Sequence, residues 1–277
     1  MKRLTYTQQG IYNDSMLYEG KLRHTIGGYI ALKGHPDREI LEEAIRRLIG
    51  EQTALRTRII IQDGCPYQCI ERESHFVLQT VEINEQNFPD HVQRVFQETV
   101  EVTDYPLYFF QLCYLNEGGT NLIIRLHHII ADGWSMEVAT KQISRHYHNV
   151  ITCANPSMEL FQFQNLIGRE DRYMESDKVK QANAFYQDVY KSIRAFKEAE
   201  REKSMDFTAF SSNFQLDYEL SAQVRFFCER HRLSLNMLFT AVFGLALTYL
   251  NQNKIVYLGL PIYGRNGIRE KNTMGMY

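Results

Sequence analysis

Two strand-like runs, Leu107 to Leu115 and Asn121 to Ile130, are joined through Glu117-Gly118-Gly119. A helical stripe of Met136, Ala139, Ile143 and Tyr147 follows at once. Apolar runs around a glycine turn predict a hairpin, and the change to three- and four-residue spacing predicts a helix. No other stretch constrains the fold as much, because it places a strand-to-helix junction at one point of the chain. At that point stands HHIIADGWS, His127 to Ser135, with adjacent histidines, an aspartate, a glycine and the chain's only tryptophan. Such a stretch can be a metal site, a base with its support, or a strand end with a helix cap.

If Asn121 to Ile130 is a regular strand, Leu122, Ile124, Leu126 and His128 share one face, and Ile123, Arg125, His127 and Ile129 the other. His128 then emerges on a wholly apolar face, where a neutral imidazole suits general-base work. His127 shares its face with a charge. A metal fits poorly, because His128 and Asp132 would share a face only on a helix, and here the chain leaves a strand and turns through Gly133. His146 and His148 lie at the far end of the next helix, so no metal is expected. Plainer roles stand beside the catalytic one. A lone histidine on an apolar strand can be a core residue, Asp132 can cap the following helix, and Trp134 can anchor the core. Spacing alone leaves catalyst and core residue balanced for His128.

Around the junction the chain reads as mixed α/β. Lys21 to Lys33 is a predicted strand, weakened or bulged at Gly27-Gly28. Pro36-Asp37 opens a helix carrying Ile40, Leu41, Ala44, Ile45 and Leu48. Asp63-Gly64 turns a hairpin between Arg56 to Ile61 and Tyr67 to Ile70. Phe76 to Ile83 and Phe88 to Val102 continue as strand and helix. After Val150 the composition shifts. Thr152 to Ser157 reads as a connecting loop and Arg169 to Ser204 as charged surface helices. Phe207 to Glu219 returns to strand character, and Ser221 suits the cap of the next helix. Leu235 to Asn251 is apolar nearly all round, the mark of a buried helix, and Lys254 to Leu260 is a final strand.

With 277 residues, 44% hydrophobic, and a net charge of -2, the chain can bury a sizeable core. That balance carries no basic footprint for nucleic acid or a membrane surface. The five scattered cysteines give no zinc pattern and suit a reduced, cytoplasmic protein. MKRLTYTQQG lacks the apolar stretch of a signal peptide, and Met237 to Leu250 is too short and interrupted to span a bilayer.

HHIIADGWS resembles the HHxxxDG signature of nonribosomal peptide synthetase condensation domains, within the chloramphenicol-acetyltransferase-like acyltransferases. Other segments agree in order. LTYTQQGIY, Leu4 to Tyr12, is similar to the family's opening motif, with Gln8 at its glutamine. ALRTR, Ala54 to Arg58, is similar to its LRT segment, and LGLPIYGRN, Leu258 to Asn266, to its GxPxxGR stretch. The closing TMGMY looks like the start of the next motif. Two departures fall on the acceptor side. Glu51-Gln52 stand where the family has RH, and Phe161 to Arg169 match its aromatic-rich motif poorly.

The resemblance implies a two-lobe fold with a tunnel between the lobes. Residues 1–175 would form a complete N-terminal lobe carrying the motif, and 176–277 the bridging helices and first, incomplete part of the C-terminal lobe. It implies an acyltransferase that forms an amide between a carrier-bound acyl or peptidyl thioester and a carrier-bound aminoacyl acceptor. His128 would be the principal catalytic residue, deprotonating or positioning the amine, and Gly133 would offer its N–H to the oxyanion. Asp132 would brace the loop through an arginine, with Arg56 the expected partner. His127 and Trp134 would support the site. No bound cofactor is implied: substrates arrive on the phosphopantetheine of donor and acceptor carrier proteins, with adenylation domains as neighbours. His127 and His128 stand where heterocyclisation domains carry aspartates, which disfavours that reading. The first motif's place close to Met1 favours a starter-type, N-acylating domain or one that receives its donor from a separate protein. Two alternatives stay open: a coenzyme A thioester-dependent acyltransferase of the same superfamily, and a non-catalytic domain that recruits carrier proteins.

Overall fold

The computed structural model describes residues 1–18, 24–73, 75–154, 161–194, 212–250, 252 and 256–277. They form two compact units, one of Met1–Asp188 with Tyr263–Tyr277, the other of Val189–Ile262. The end of the expected second part, 176–277, thus belongs with the first unit.

In chain order the first unit opens with β1 (Lys2–Arg3), α1 (Tyr6–Leu17), β2 (Thr25–Leu32), α2 (Arg38–Glu51), β3 (Thr57–Gln62) and β4 (Cys65–Ile70). It continues with β5 (Gln79–Ile83), α3 (Phe88–Gln97), β6 (Tyr108–Leu115), β7 (Thr120–His127), α4 (Gly133–Ile151) and α5 (Asn165–Met174). A further helix, α6 (Asp177–Arg194), follows. The second unit holds α7 (Tyr218–His231) and α8 (Leu235–Leu250), and α9 (Gly267–Lys271) returns to the first.

Local chemistry accounts for most of these elements. Thr5 caps α1 in a reciprocal box with Gln8, and the Asp37 carboxylate accepts the Ile40 N–H to start α2. Asp63 and Gly64 both take left-handed backbone, φ 50° and 74°, which joins β3 to β4 in the tight register Gln62 opposite Cys65. The larger sheet runs in the order β2-β7-β6-β5. Leu122, Ile124 and Leu126 of β7 face a core shared with Leu41, Ile45 and Leu48 of α2 and Val138, Ala139 and Ile143 of α4. Ile123 faces the opposite layer, with Phe88 and Val95 of α3. Every residue of β7 is buried, so this strand has no solvent side.

Some expectations need correction. β7 ends at His127, three residues short of the predicted end, because the chain then curls through successive turns. Residues 212–217 and 256–260 form no strand. Asp217 caps α7 through the Leu220 N–H at 2.7 Å, which leaves Ser221 inside the helix rather than at its start. No residue of α8 is buried, although it is apolar nearly all round. Its packing depends on covering elements, which its own residues do not specify. Parts of the expected elements at 21–23, 195–211 and 254–255 lie outside the described residues. No single described helix is long and apolar enough to cross a membrane.

The predicted bulge at Gly27-Gly28 is absent. β2 pairs with β7 in continuous register from Thr25 opposite His127 to Leu32 opposite Thr120. Gly27 serves another need: its φ is 146°, and a Cβ there would stand 2.0 Å from the Ile124 carbonyl oxygen. Gly27→Ala should therefore lower the unfolding free energy by at least about 2 kcal/mol in urea titration, through strain and overpacking. An unchanged midpoint would contradict this close approach.

Candidate functional site

Beyond β7 the motif turn is tied down at each step. The His128 N–H donates to the His24 carbonyl at 2.6 Å, and the Ile130 N–H to the His127 carbonyl at 3.1 Å. The buried Gln8 side chain, 121 residues away in sequence, donates its Nε2–H to the Ile129 carbonyl at 3.1 Å. Its Oε1 accepts from the Thr5 N–H and from Gln68. Ile129, Ile130 and Ala131 are fully buried. His128 itself is half-buried, and its Nδ1 is shut off from solvent with no hydrogen-bond partner among the described residues. It stands in a turn rather than on the strand face that alternation assigned to it.

Asp132 then starts α4. One carboxylate oxygen, Oδ1, accepts the Ser135 N–H at 2.9 Å and the Ser135 hydroxyl at 2.8 Å, which makes Asp132 the helix cap. The same carboxylate is clasped by Arg265, Nη1 to Oδ2 at 2.6 Å and Nη2 to Oδ1 at 2.9 Å. The Arg265 side chain is 1% exposed and its guanidinium lies 4.0 Å from the Tyr277 ring centre. The expected partner, Arg56, is elsewhere. Its guanidinium donates to the carbonyls of Ile49, Gly50 and Glu71, two of them orphan acceptors at the end of α2. These three bonds hold the guanidinium at the end of α2, and none of them goes to Asp132.

The segment that carries Arg265 packs along the motif. Gly275 N–H donates to the Ser135 hydroxyl oxygen at 3.1 Å, and the Thr7 hydroxyl donates to the Met276 carbonyl. Met274 is fully buried in the core. Gln52, read from sequence only as a departure, accepts the Met274 N–H and donates to the Asn272 carbonyl, both at 2.9 Å. A Cβ on Gly275 would lie 2.2 Å from the Phe163 ring, so the weakly matched aromatic stretch also seats this segment. Trp134 donates its indole N–H to the Lys271 carbonyl at 2.8 Å and meets Tyr263 edge to face. Gly133 is the first residue of α4, exposed, with an amide that helix geometry leaves without an intrahelical partner.

The sequence gathers His127, His128, Asp132, Gly133 and Trp134 at one strand-to-helix junction, but it does not point to Arg265, Gln52 or Ser135 as contacts of that turn. Arg265 was visible within LGLPIYGRN, and Gln8 within the capping-box spacing Thr5-x-x-Gln8. Nothing local connects either to the histidines. Among the described residues no three His, Cys, Asp or Glu side chains gather as a metal would require.

A family model described as Condensation domain matches residues 1–277. Bacitracin synthase 3 of Bacillus licheniformis is 24% identical across 99% of this chain, which spans 4% of that relative's length. Surfactin synthase subunit 2 of Bacillus subtilis (strain 168) is also 24% identical, across 98% of this chain and 7% of its own length. The chain thus corresponds to a small part of either relative. Among solved structures, the first condensation domain of the calcium-dependent antibiotic synthetase superposes with a TM-score of 0.85 at 17% identity. That match covers 99% of this chain and 67% of the other. A mutant of the starter condensation domain of rhizomide synthetase RzmA gives 0.75 at 19%, covering 99% and 63%. At such identities the likeness is one of fold.

His127 turns inward, and its Nδ1 accepts the Ile129 N–H at 3.1 Å. Burial, then the nearby His24 and His128, push its pKa down to about 3, so the ring is neutral near pH 7. The unfolded chain binds a proton here below about pH 6.5, and the folded chain does not until about 3. Stability from this group is therefore complete above pH 6.5 and is lost as pH falls toward 3, by up to about 1.4 kcal/mol per pH unit. Replacing His127 by Gln should flatten the acid limb of unfolding free energy between pH 6.5 and 4. An unchanged slope would contradict the neutral, buried ring.

Proposed function

The chain belongs to the condensation-domain family of nonribosomal peptide synthetases and has its mixed α/β, chloramphenicol-acetyltransferase-like fold; from this we propose that it joins a donor thioester to an acceptor amine. The donor is an acyl or peptidyl group, the acceptor an aminoacyl group, and each rides on the phosphopantetheine arm of a carrier protein. Adenylation domains that load those carriers are the expected neighbours. The acceptor amine attacks the thioester carbonyl, the C–N bond forms and the C–S bond breaks. The amine proton passes to His128 and then to the departing thiolate.

One observation carries this reading: among the described residues no side chain or backbone group engages the His128 imidazole, and it stands on a turn whose flanks are held. With Nδ1 sealed inside, Nε2 is the nitrogen a substrate can address. Holding amine and thioester in register supplies on the order of 7–11 kcal/mol in well-oriented systems, and a base adds a factor of about 10²–10⁴. The position of the Gly133 N–H at the positive end of the 19-residue α4 supports a role for it in steadying the oxyanion. Asp132 acts as a brace rather than as a chemist, because both its oxygens are committed to Arg265 and the helix cap. No acyl-enzyme is needed, since aminolysis of a thioester is downhill. Cys113, whose thiol burial pushes up to about 11, stays an inert core residue.

The test loads two carrier proteins with acyl and aminoacyl groups and follows the amide by mass. His128→Ala should cut the rate by about 10²–10⁴ while unfolding at the wild-type midpoint. Product formation indifferent to that substitution would overturn the assignment. Turnover only with free coenzyme A thioesters would favour a coenzyme A-dependent acyltransferase instead.

A further inference from the structure

The β2–β7 ladder ends where Thr25 faces His127. One bond lies beyond it, the 2.6 Å contact from the His128 N–H to the His24 carbonyl. It is the short contact that fixes the His128 backbone. Among the described residues the His128 carbonyl receives only a 3.4 Å bond from the Ala131 N–H, and Nδ1 is unpartnered. The place of His24 therefore bears directly on the His128 main chain, while Gln8 and Arg265 hold the turn on its far side.

His24 is itself held. Its Nε2 donates to Asp14 Oδ2 at 2.7 Å, a short bond to a carboxylate, with the two side chains 14% and 31% exposed. Asp14 lies in the last turn of α1, the same helix whose Gln8 grips the Ile129 carbonyl. One helix thus reaches both sides of the motif turn, through Gln8 to residue 129 and through Asp14 and His24 to residue 128. β2 does not need this pair to stay in the sheet, because it is bonded to β7 along its whole length. The consequence of the Asp14–His24 contact falls on the residue just past the ladder.

We propose that Asp14 and His24 are positioning residues for the condensation reaction: their hydrogen bond anchors the chain before β2 to α1, so that the His24 carbonyl holds His128 in its reactive orientation. This rests on the reading of His128 as the catalytic base. His24 touches no reacting atom and acts only through the His128 main chain.

The experiment uses the full protein with loaded carriers and compares His24→Ala, His24→Gln, Asp14→Ala and the double alanine variant. His24→Ala should lower kcat by about tenfold or more, since small misplacements of a catalytic group are costly, with the acceptor KM within about twofold. His24→Gln, whose amide can still donate to Asp14, should recover most of the loss. Asp14→Ala should match His24→Ala, and the double variant should be no worse than either. Hydrogen exchange at the His128 amide should quicken about tenfold in both single alanine variants and stay near wild type in His24→Gln. Unchanged kcat and exchange in His24→Ala, failure of Gln to rescue, or additive losses would each overturn the proposal. Exchange is read without turnover, so it judges the positioning even if the wild type forms no amide. That last outcome would count against the function and not against this arrangement.

Discussion

Asp132 gathers donors from two distant parts of the chain: the amide and hydroxyl of Ser135, three residues on, and both Nη groups of Arg265, 133 residues on. A buried guanidinium and carboxylate pay a large desolvation cost, so the net gain from the pair is modest. Removing one partner is another matter, since it strands a buried charge at a cost of about 3–5 kcal/mol. Such a pair acts chiefly as a register mark. It fixes the start of α4 against the Tyr263–Tyr277 segment, and Gly275, Met274 and Tyr277 follow that register into place.

The other constraint comes from β7. A strand buried on both faces cannot present a functional side chain along its length, because α2 and α4 cover one side and α3 the other. Only its end is available. The motif stands at that end, where the chain must satisfy backbone groups as it leaves the ladder. Gln8, His127 and His24 supply the missing partners for residues 128 to 129. The support of the turn and its burial are thus the same set of contacts, and the His128 ring is what they leave free.

The hairpin, α4 and α2 were legible because apolar period, glycine turns and caps act within a few residues, as at Asp37 and Asp63-Gly64. The same locality explains the errors. Phe214 and Leu216 alternate as in a strand, yet a strand needs a ladder partner, and Asp217 caps α7 instead. Alternation aimed His128 at an apolar face, but the turns after His127 change its direction. The brace on Asp132 was anticipated as a type of contact, and its partner was misassigned to Arg56. No short-range pattern ties position 132 to 265, and the α2 carbonyls that occupy Arg56 are apparent only once α2 ends beside it.

The central claim is that the Asp132–Arg265 pair, acting as one unit, holds the motif turn against the returning segment. A double-mutant cycle of unfolding free energies with Asp132→Asn and Arg265→Gln measures this directly. The account predicts a coupling of at least about 2 kcal/mol, with either single change costing nearly as much as both. Losses that add to within about 0.5 kcal/mol would contradict it.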